Sequence, residues 1–293
     1  MAAALAAAIA LGPWFEAAAA PIDSEIVACY DATRKVVTHT LSQSCNGEIV
    51  SPRREHEIEM AERRRVQSAV DSRTLPDPVT GKRRLTGTGS GFYVGPDGEI
   101  LTNDHVVAHC SMLTATADDD SKHAAVLVAT LAAVDIALLR TTRLPPAIAR
   151  FSTAPQASDG DQLAVIGYPA YGLPTRLSSL TPAQTDPASL ATPDGKVFFR
   201  GEIRHGNSGS PLLDEAGNVV GLVDAMIDTP KLYRATGRMI AATGIAISHS
   251  AVLRFLIAKG IRPVFAEGPQ VALGAEALHE MSRGFVVQIG CWN

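Results

Sequence analysis

The chain has no excess of basic residues: 26 Lys and Arg stand against 30 Asp and Glu, a net charge of −4. That balance excludes the broad cationic face on which nucleic-acid binding depends, and no nucleic-acid partner is expected. Beyond its N-terminus the chain also lacks any run approaching the ~20 apolar residues that span a bilayer, so no membrane span is expected. Cysteine is scarce. The four cysteines, Cys29, Cys45, Cys110 and Cys291, show none of the close pairing of a zinc site, and neither a metal nor another cofactor is expected.

What is present begins with an apolar leader, "MAAALAAAIALGPWFEAAAAPIDSE", with Ala-x-Ala choices ending at Ala18, Ala19 or Ala20. It reads as a signal peptide over residues 1–20, although it lacks a positively charged n-region. Beside an export signal, an even cysteine count implies two disulfides in an oxidising compartment and a secreted or periplasmic location. Three connectivities are possible. Cys29 with Cys45 is the most local choice and leaves Cys110 for Cys291. The 293 residues, 46% of them hydrophobic, are ample for a substantial core.

Residues 21–80 form an accessory segment in which "SPRREHEIEMAERRRVQSAV" predicts a solvated helix from about Arg53 to Val70. From Leu85 onward, short β-branched and apolar runs alternate with turn signals. "SGFYV", "EILTN", "MLTATA", "HAAVLVAT" and "DIALLRT" are one strand set, assigned to residues 81–150. The proline-bearing "RLPPAIARFSTAPQASDGD" separates it from a second set over 151–265, "QLAVIGYP", "KVFFRGEI", "SPLLD", "NVVGLVDAMI" and "TGIAI". Ser248 is a candidate N-cap for a helix through Ala251 to Ala258, with Gly260 as its left-handed C-cap. The tail, 266–293, holds a short helix around Ala272 to Met281 and a strand, "FVVQIGC", that needs a sheet edge to join.

Within the second set, "GNSGSPLLD" centres a serine between two glycines at the mouth of a strand. Glycine lets backbone approach closely, so Ser208 could sit beside N–H groups able to receive an oxyanion. A serine nucleophile needs a base and an orienting carboxylate. His105, in "ILTNDHVV", lies where a strand turns into a loop, the place at which a rigid sheet presents functional side chains. Asp135, in "AAVDIALLR", leads so apolar a run that its carboxylate must find a buried partner.

Together, "GTGSGFYVGPDGEILTNDHVV", "VDIALLR" and "GNSGSPLLDEAGNVVGLV", in the order His, Asp, Ser, resemble the chymotrypsin-fold serine peptidases, and within them the bacterial HtrA-like and glutamyl-endopeptidase-like branch. The resemblance covers about residues 85–260. It implies an all-β fold of two six-stranded antiparallel barrels, here with an N-terminal helical extension and a C-terminal helix. It further implies that Ser208 is the nucleophile, His105 the base, Asp135 the carboxylate that orients it, and the N–H groups of Gly206 and Ser208 the oxyanion hole. His109, in "AHC", resembles the histidine segment of trypsin-type enzymes, but choosing it would insert four residues after the strand, so His105 is preferred. Thr102 matches a hydroxyl position that in the family hydrogen-bonds the buried aspartate.

Several positions depart from the family pattern. Asn207 replaces the aspartate that precedes the nucleophile in digestive trypsins, so a charge-triggered zymogen switch is not expected. Ser210 replaces the usual second glycine, and Cys110 lacks the partner that trypsins carry on the preceding strand. The residues after Pro263 are too few for a PDZ domain. By analogy Glu202, His205 and Asp224 line the primary specificity pocket: two carboxylates would select a basic side chain, whereas an outward Glu202 would leave His205 to receive an acidic one. The expected partner is a peptide or unfolded protein. The alternatives are a catalytically silent binding protein and a chaperone-like protein on the same fold.

Overall fold

The computed structural model describes residues 26–33, 36–42, 45–58, 60–61, 79–153, 160–170, 177–186, 195–227, 229–237 and 241–293. The expected signal peptide lies outside them, as does the expected helix beyond residue 61. The chain divides into two compact units, Met1–Glu55 and His56–Asn293.

The first unit holds three antiparallel strands, β1 (Ile26–Asp31), β2 (Val36–Leu41) and β3 (Glu48–Val50), with β1 in the middle. Cys29 on β1 is bonded to Cys45, which precedes β3, so a disulfide staples the sheet across its connection. Among the described residues, Ala28, Cys29 and Val50 are buried in it. A sheet of three short strands is of the kind that leans on a cross-link. The sequence reading saw only a cysteine-bounded stretch here, although "IVACY" and "VVTHTL" carry the β-branched density of strands. A helix over 52–58 and 60–61 matches the start of the one expected from Arg53.

The second unit is two barrels. The first contains β4 (Leu85–Tyr93), β5 (Glu99–Thr102), β6 (Met112–Thr116), β7 (Lys122–Leu131) and β8 (Ile136–Thr141). It closes only with the tail strand, β17 (Val286–Trp292), which pairs antiparallel with both β4 and β6. That is the sheet edge the sequence required for "FVVQIGC", and a disulfide from Cys110 to Cys291 fastens it. The second barrel runs β13 (Pro211–Leu213), β10 (Gln162–Gly167), β11 (Ser179–Thr185), β12 (Lys196–Gly201), β15 (Thr243–Ser248) and β14 (Val219–Met226), closed by pairing of β13 with β14. Two short strands, β9 (Arg150–Phe151) and β16 (Val264–Phe265), add on parallel beyond β14.

β11, like the short β9 and β16, is absent from the strands expected from sequence, and it carries Pro182, a residue that argues against a central strand. Its pairing explains the tolerance. β10 pairs along its whole length, but β12 joins only from Ala183 onward, so Pro182 sits where β11 has one neighbour. Four further helices are seen among the described residues of the unit: α1 (Asp104–Val107), α2 (Thr229–Thr236), α3 (His249–Ala258) and α4 (Ala275–Ser282). Ser248 caps α3 by accepting from the Ala251 amide, and Gly260 has φ 77° just past its end. One buried cluster spans both barrels, from Phe92, Leu139 and Ile289 to Phe151, Leu222 and Phe255; a smaller one around Val165, Phe199 and Val223 fills the second barrel.

Candidate active site

The register of β5 on β8 brings the first two candidate residues together. Thr102 pairs with Ala137, so the loop leaving β5 and the turn entering β8 meet at one end of the ladder. His105 follows in α1, and Asp135 precedes β8 at φ 63°, a left-handed conformation that an aspartate tolerates better than most residues. Asp135 then holds His105 twice, Oδ2 at 2.6 Å from Nδ1 and Oδ1 accepting from the backbone amide at 2.8 Å. With Nδ1 committed, Nε2 is the ring nitrogen left for chemistry, on a side chain 49% exposed.

Asp135 raises the His105 pKa above 6.5 through this hydrogen bond and its charge, against the opposing effect of burial. Burial works against the Asp135 anion, but the hydrogen bonds from the His105 ring and amide, with the His105 charge, hold its carboxyl below the usual carboxylate value. Asn103, which the sequence reading passed over, donates from Nδ2 to the Asp135 carbonyl at 2.9 Å and fixes the turn.

Ser208 lies in the loop between β12 and β13. Gly206 and Gly209 have φ of 92° and 86°. A Cβ on Gly206 would fall 2.3 Å from the Tyr168 carbonyl oxygen, and one on Gly209 would fall 2.0 Å from that of Ser90. Both conformation and space therefore demand glycine. The His205 carbonyl accepts from the Ala170 amide at 2.7 Å and the Asn207 carbonyl from that of Ser210 at 2.9 Å. In a trans peptide the N–H points opposite its carbonyl, so these bonds turn the Gly206 and Ser208 amides the other way. Neither amide donates to an acceptor among the described residues. Two unspent donors flank the serine.

Ser90, also missed, is the hub that ties this loop to the first barrel. Fully buried on β4, its Oγ donates to the Gly206 carbonyl at 2.7 Å and accepts from the Tyr168 amide at 2.9 Å, while its own amide donates to the Ser208 carbonyl at 2.8 Å. The glycine-rich setting of "GTGSGFYV" is the sequence signal that another chain segment comes close there. The Thr102 hydroxyl donates to the Ser90 carbonyl at 2.6 Å, not to Asp135 as the resemblance implied, so it supports the serine side of the site.

The Ser208 hydroxyl donates to the Asp224 carbonyl at 3.0 Å. That carbonyl is available because β14 bulges at Asp224: Val223 pairs with Ala246 and Ala225 with Ile245, so Asp224 opposes no residue in the ladder. The Asp224 side chain is turned inward. It is bonded by Lys196, and its carboxylate, that of Asp135 and a ring nitrogen of His105 lie within 4.8 Å of one another. Burial raises the Asp224 carboxyl, with Lys196 opposing and Asp135 adding to the rise. Asp224 thus belongs to the His105–Asp135 cluster, where Lys196 already neutralises it, and offers no free anion to a substrate side chain. Glu202 is 77% exposed on its side chain and lies 3.4 Å from Arg204; His205 and His109 are exposed.

Residues 89–222 match the family model of the trypsin-like peptidase domain. Serine protease Rv3671c of Mycobacterium tuberculosis is 35% identical over 170 residues, which are 54% of this chain and 40% of that protein. A crystal structure of Rv3671c in its inactive form, a serine-to-alanine mutant, covers 62% of this chain and 87% of the crystallised one, with a TM-score of 0.50 and 28% identity. The uncharacterized protein y4bJ of Sinorhizobium fredii is 29% identical over 76% of this chain and 35% of its own length. A probable periplasmic serine endoprotease, DegP-like, of Chlamydia pneumoniae is 30% identical over 51% of this chain and 31% of its own. The chain therefore spans about a third to two fifths of the length of these relatives. With both barrels closed and the matched segment running from β4 into β14, the chain has the chymotrypsin fold, and its residues 89–222 are similar to the trypsin-like peptidase domain.

Proposed function

We propose that the chain is a serine endopeptidase acting on peptide or unfolded protein. The observation that carries this reading is the double grip of Asp135 on His105, which leaves Nε2 as the ring nitrogen for chemistry, while Ser208 is tied to the same cluster through Asp224 and its loop carries two unspent amides. In the reaction Ser208 Oγ leaves the Asp224 carbonyl, gives its proton to His105 Nε2 and attacks the scissile carbonyl. The developing oxyanion is received by the N–H groups of Gly206 and Ser208, each such donor worth about 100-fold or more in turnover. His105 then protonates the leaving amine, and Asp135 holds the ring in the required tautomer and stabilises its charged form. Hydrolysis of casein at neutral to mildly alkaline pH tests this. Ser208→Ala and His105→Ala should abolish turnover with the fold intact, and His109→Ala should not; full activity in Ser208→Ala would overturn the assignment.

A second reading is favoured by one observation: the Ser208 hydroxyl is bonded to the Asp224 carbonyl and not to His105. A protein arrested in that state would be a silent binding module. A fluorophosphonate probe discriminates, because only an activated serine labels. For the specificity pocket, the outward Glu202 supports reception of an acidic or neutral side chain next to His205 over a basic one. Cleavage profiling of a peptide library should find no basic preference, and a basic preference lost in Glu202→Gln would reverse that choice. A secreted or periplasmic location is supported by the two disulfides and by the periplasmic name of the DegP-like relative; fractionation of the expressing cells tests it.

A further inference from the structure

A chymotrypsin-fold site needs one carboxylate behind its histidine, and this one holds two. Asp224 is 6% exposed, and its side chain reaches the space shared by Asp135 and His105. Two adjacent carboxylates beside one imidazole, Asp224 buried and Asp135 half-buried, repel each other and draw protons. The cost is offset from the second barrel. Lys196 on β12 places its ammonium against Asp224 Oδ2, on a side chain 27% exposed. With Lys196 positive and both acids ionised, the group carries one net negative charge, the same as a lone orienting aspartate. A cation at these three residues would have to displace Lys196 from Asp224 and Asp135 from His105 Nδ1, so the cluster does not read as a metal site.

We infer that Lys196 and Asp224 are positioning residues, a charge-balanced pair that fixes Asp135 from behind and sets the pH range in which His105 is a neutral base. Asp224 acts at two points. Its carboxylate abuts Asp135, and its bulged carbonyl holds the Ser208 hydroxyl, so the state of this one residue bears on both base and nucleophile. The charged groups bearing on His105 are Asp104 from its own helix, Asp135 from the turn before β8 and Asp224 from β14, with Lys196 reaching the cluster from β12 through Asp224. The catalytic meaning of the pair rests on the peptidase reading; its effect on the imidazole does not.

The test is therefore an NMR titration of the His105 ring in the intact chain. Asp224→Asn leaves the Lys196 charge unbalanced against Asp135, and the His105 midpoint should fall by about one pH unit, tenfold in proton affinity. Asp224→Asn with Lys196→Met removes both charges and should restore the midpoint to within about 0.3 unit of wild type. An unchanged midpoint in the single variant, or a shift that persists in the double, overturns the inference. Lys196→Met alone supplies a second readout that does not require Asp224 to be altered: having lost its cation, the Asp224 carboxyl should titrate about one unit or more higher by carbon-detected NMR, and no movement there also overturns it. Casein turnover in the wild type is measured separately, so a chain with no peptidase activity and a normal charge response would sink only the peptidase reading.

Discussion

Ser90→Ala deletes a single oxygen that serves two buried groups. The Gly206 carbonyl loses its donor at 2.7 Å, and the Tyr168 amide loses its acceptor at 2.9 Å. Gly206 and Tyr168 are both buried, and Ser90 has no exposed surface, so neither group is compensated by bulk water. Leaving one buried polar group unsatisfied costs about 1–3 kcal/mol, which puts the loss of two at about 2–6 kcal/mol. For a unit of this size each kcal/mol moves the thermal midpoint by about 2–4 °C, so a drop of about 4–24 °C is expected, with a matching fall in the urea midpoint at unchanged slope. The loss should also reach function, because the Gly206 amide faces the site only while its loop is held. Labelling of Ser208 by a fluorophosphonate, measured well below the unfolding transition, should slow about tenfold or more. A Ser90→Cys variant, which keeps a weak donor and acceptor, should fall between the two. If Ser90→Ala shifts stability by less than about 0.5 kcal/mol and labels at the wild-type rate, Ser90 is not the hub described, since that is the spread of surface substitutions.

Gly209→Ala forces a Cβ to within 2.0 Å of the Ser90 carbonyl oxygen at φ 86°, so it should cost at least ~1–2 kcal/mol from conformation alone and abolish labelling in whatever fraction folds. The labelling rate should rise with pH through a midpoint above 6.5, because Asp135 holds His105 protonated to higher pH; Asp135→Asn should lower that midpoint and cut the plateau by about 10⁴-fold. The same raised pKa means the His105 contribution to stability is full below pH 6.5 and fades as pH rises through the raised value, which urea titrations across that range would detect. Non-reducing peptide mapping should find Cys29 joined to Cys45 and Cys110 to Cys291, with no free thiol among them. Cys110→Ser with Cys291→Ser, which opens a loop of 181 residues, should destabilise the first barrel by about 5 kcal/mol in the chain-entropy treatment.

Much of the fold is legible in local pattern because barrel strands advertise themselves by composition and by the turns between them. The runs holding β4 to β8, β10, β12 to β15 and β17, the Ser248 cap and the Gly260 stop all follow from side-chain chemistry within a few residues. β11 is not legible, since Pro182 is disqualifying until its one-sided pairing is known, and the first unit's small sheet hid behind its cysteines.

At the site, the sequence by itself determined which residues are put forward for the chemistry: His105 at a strand end, Asp135 before an apolar run, and Ser208 between glycines. Those assignments need only residue type, spacing and order. Tertiary structure decided what surrounds them. The register of β5 on β8 joins His105 to Asp135, Ser90 on β4 reaches the Ser208 loop across 116 residues, and the bulge in β14 turns Asp224 inward to Asp135 and Lys196 while Glu202 stays in solvent. None of that is encoded in a local window, because a carboxylate has the same letter whether the strand beneath it is regular or bulged, and one added residue in a ladder is enough to move a side chain from one face of a barrel to the other.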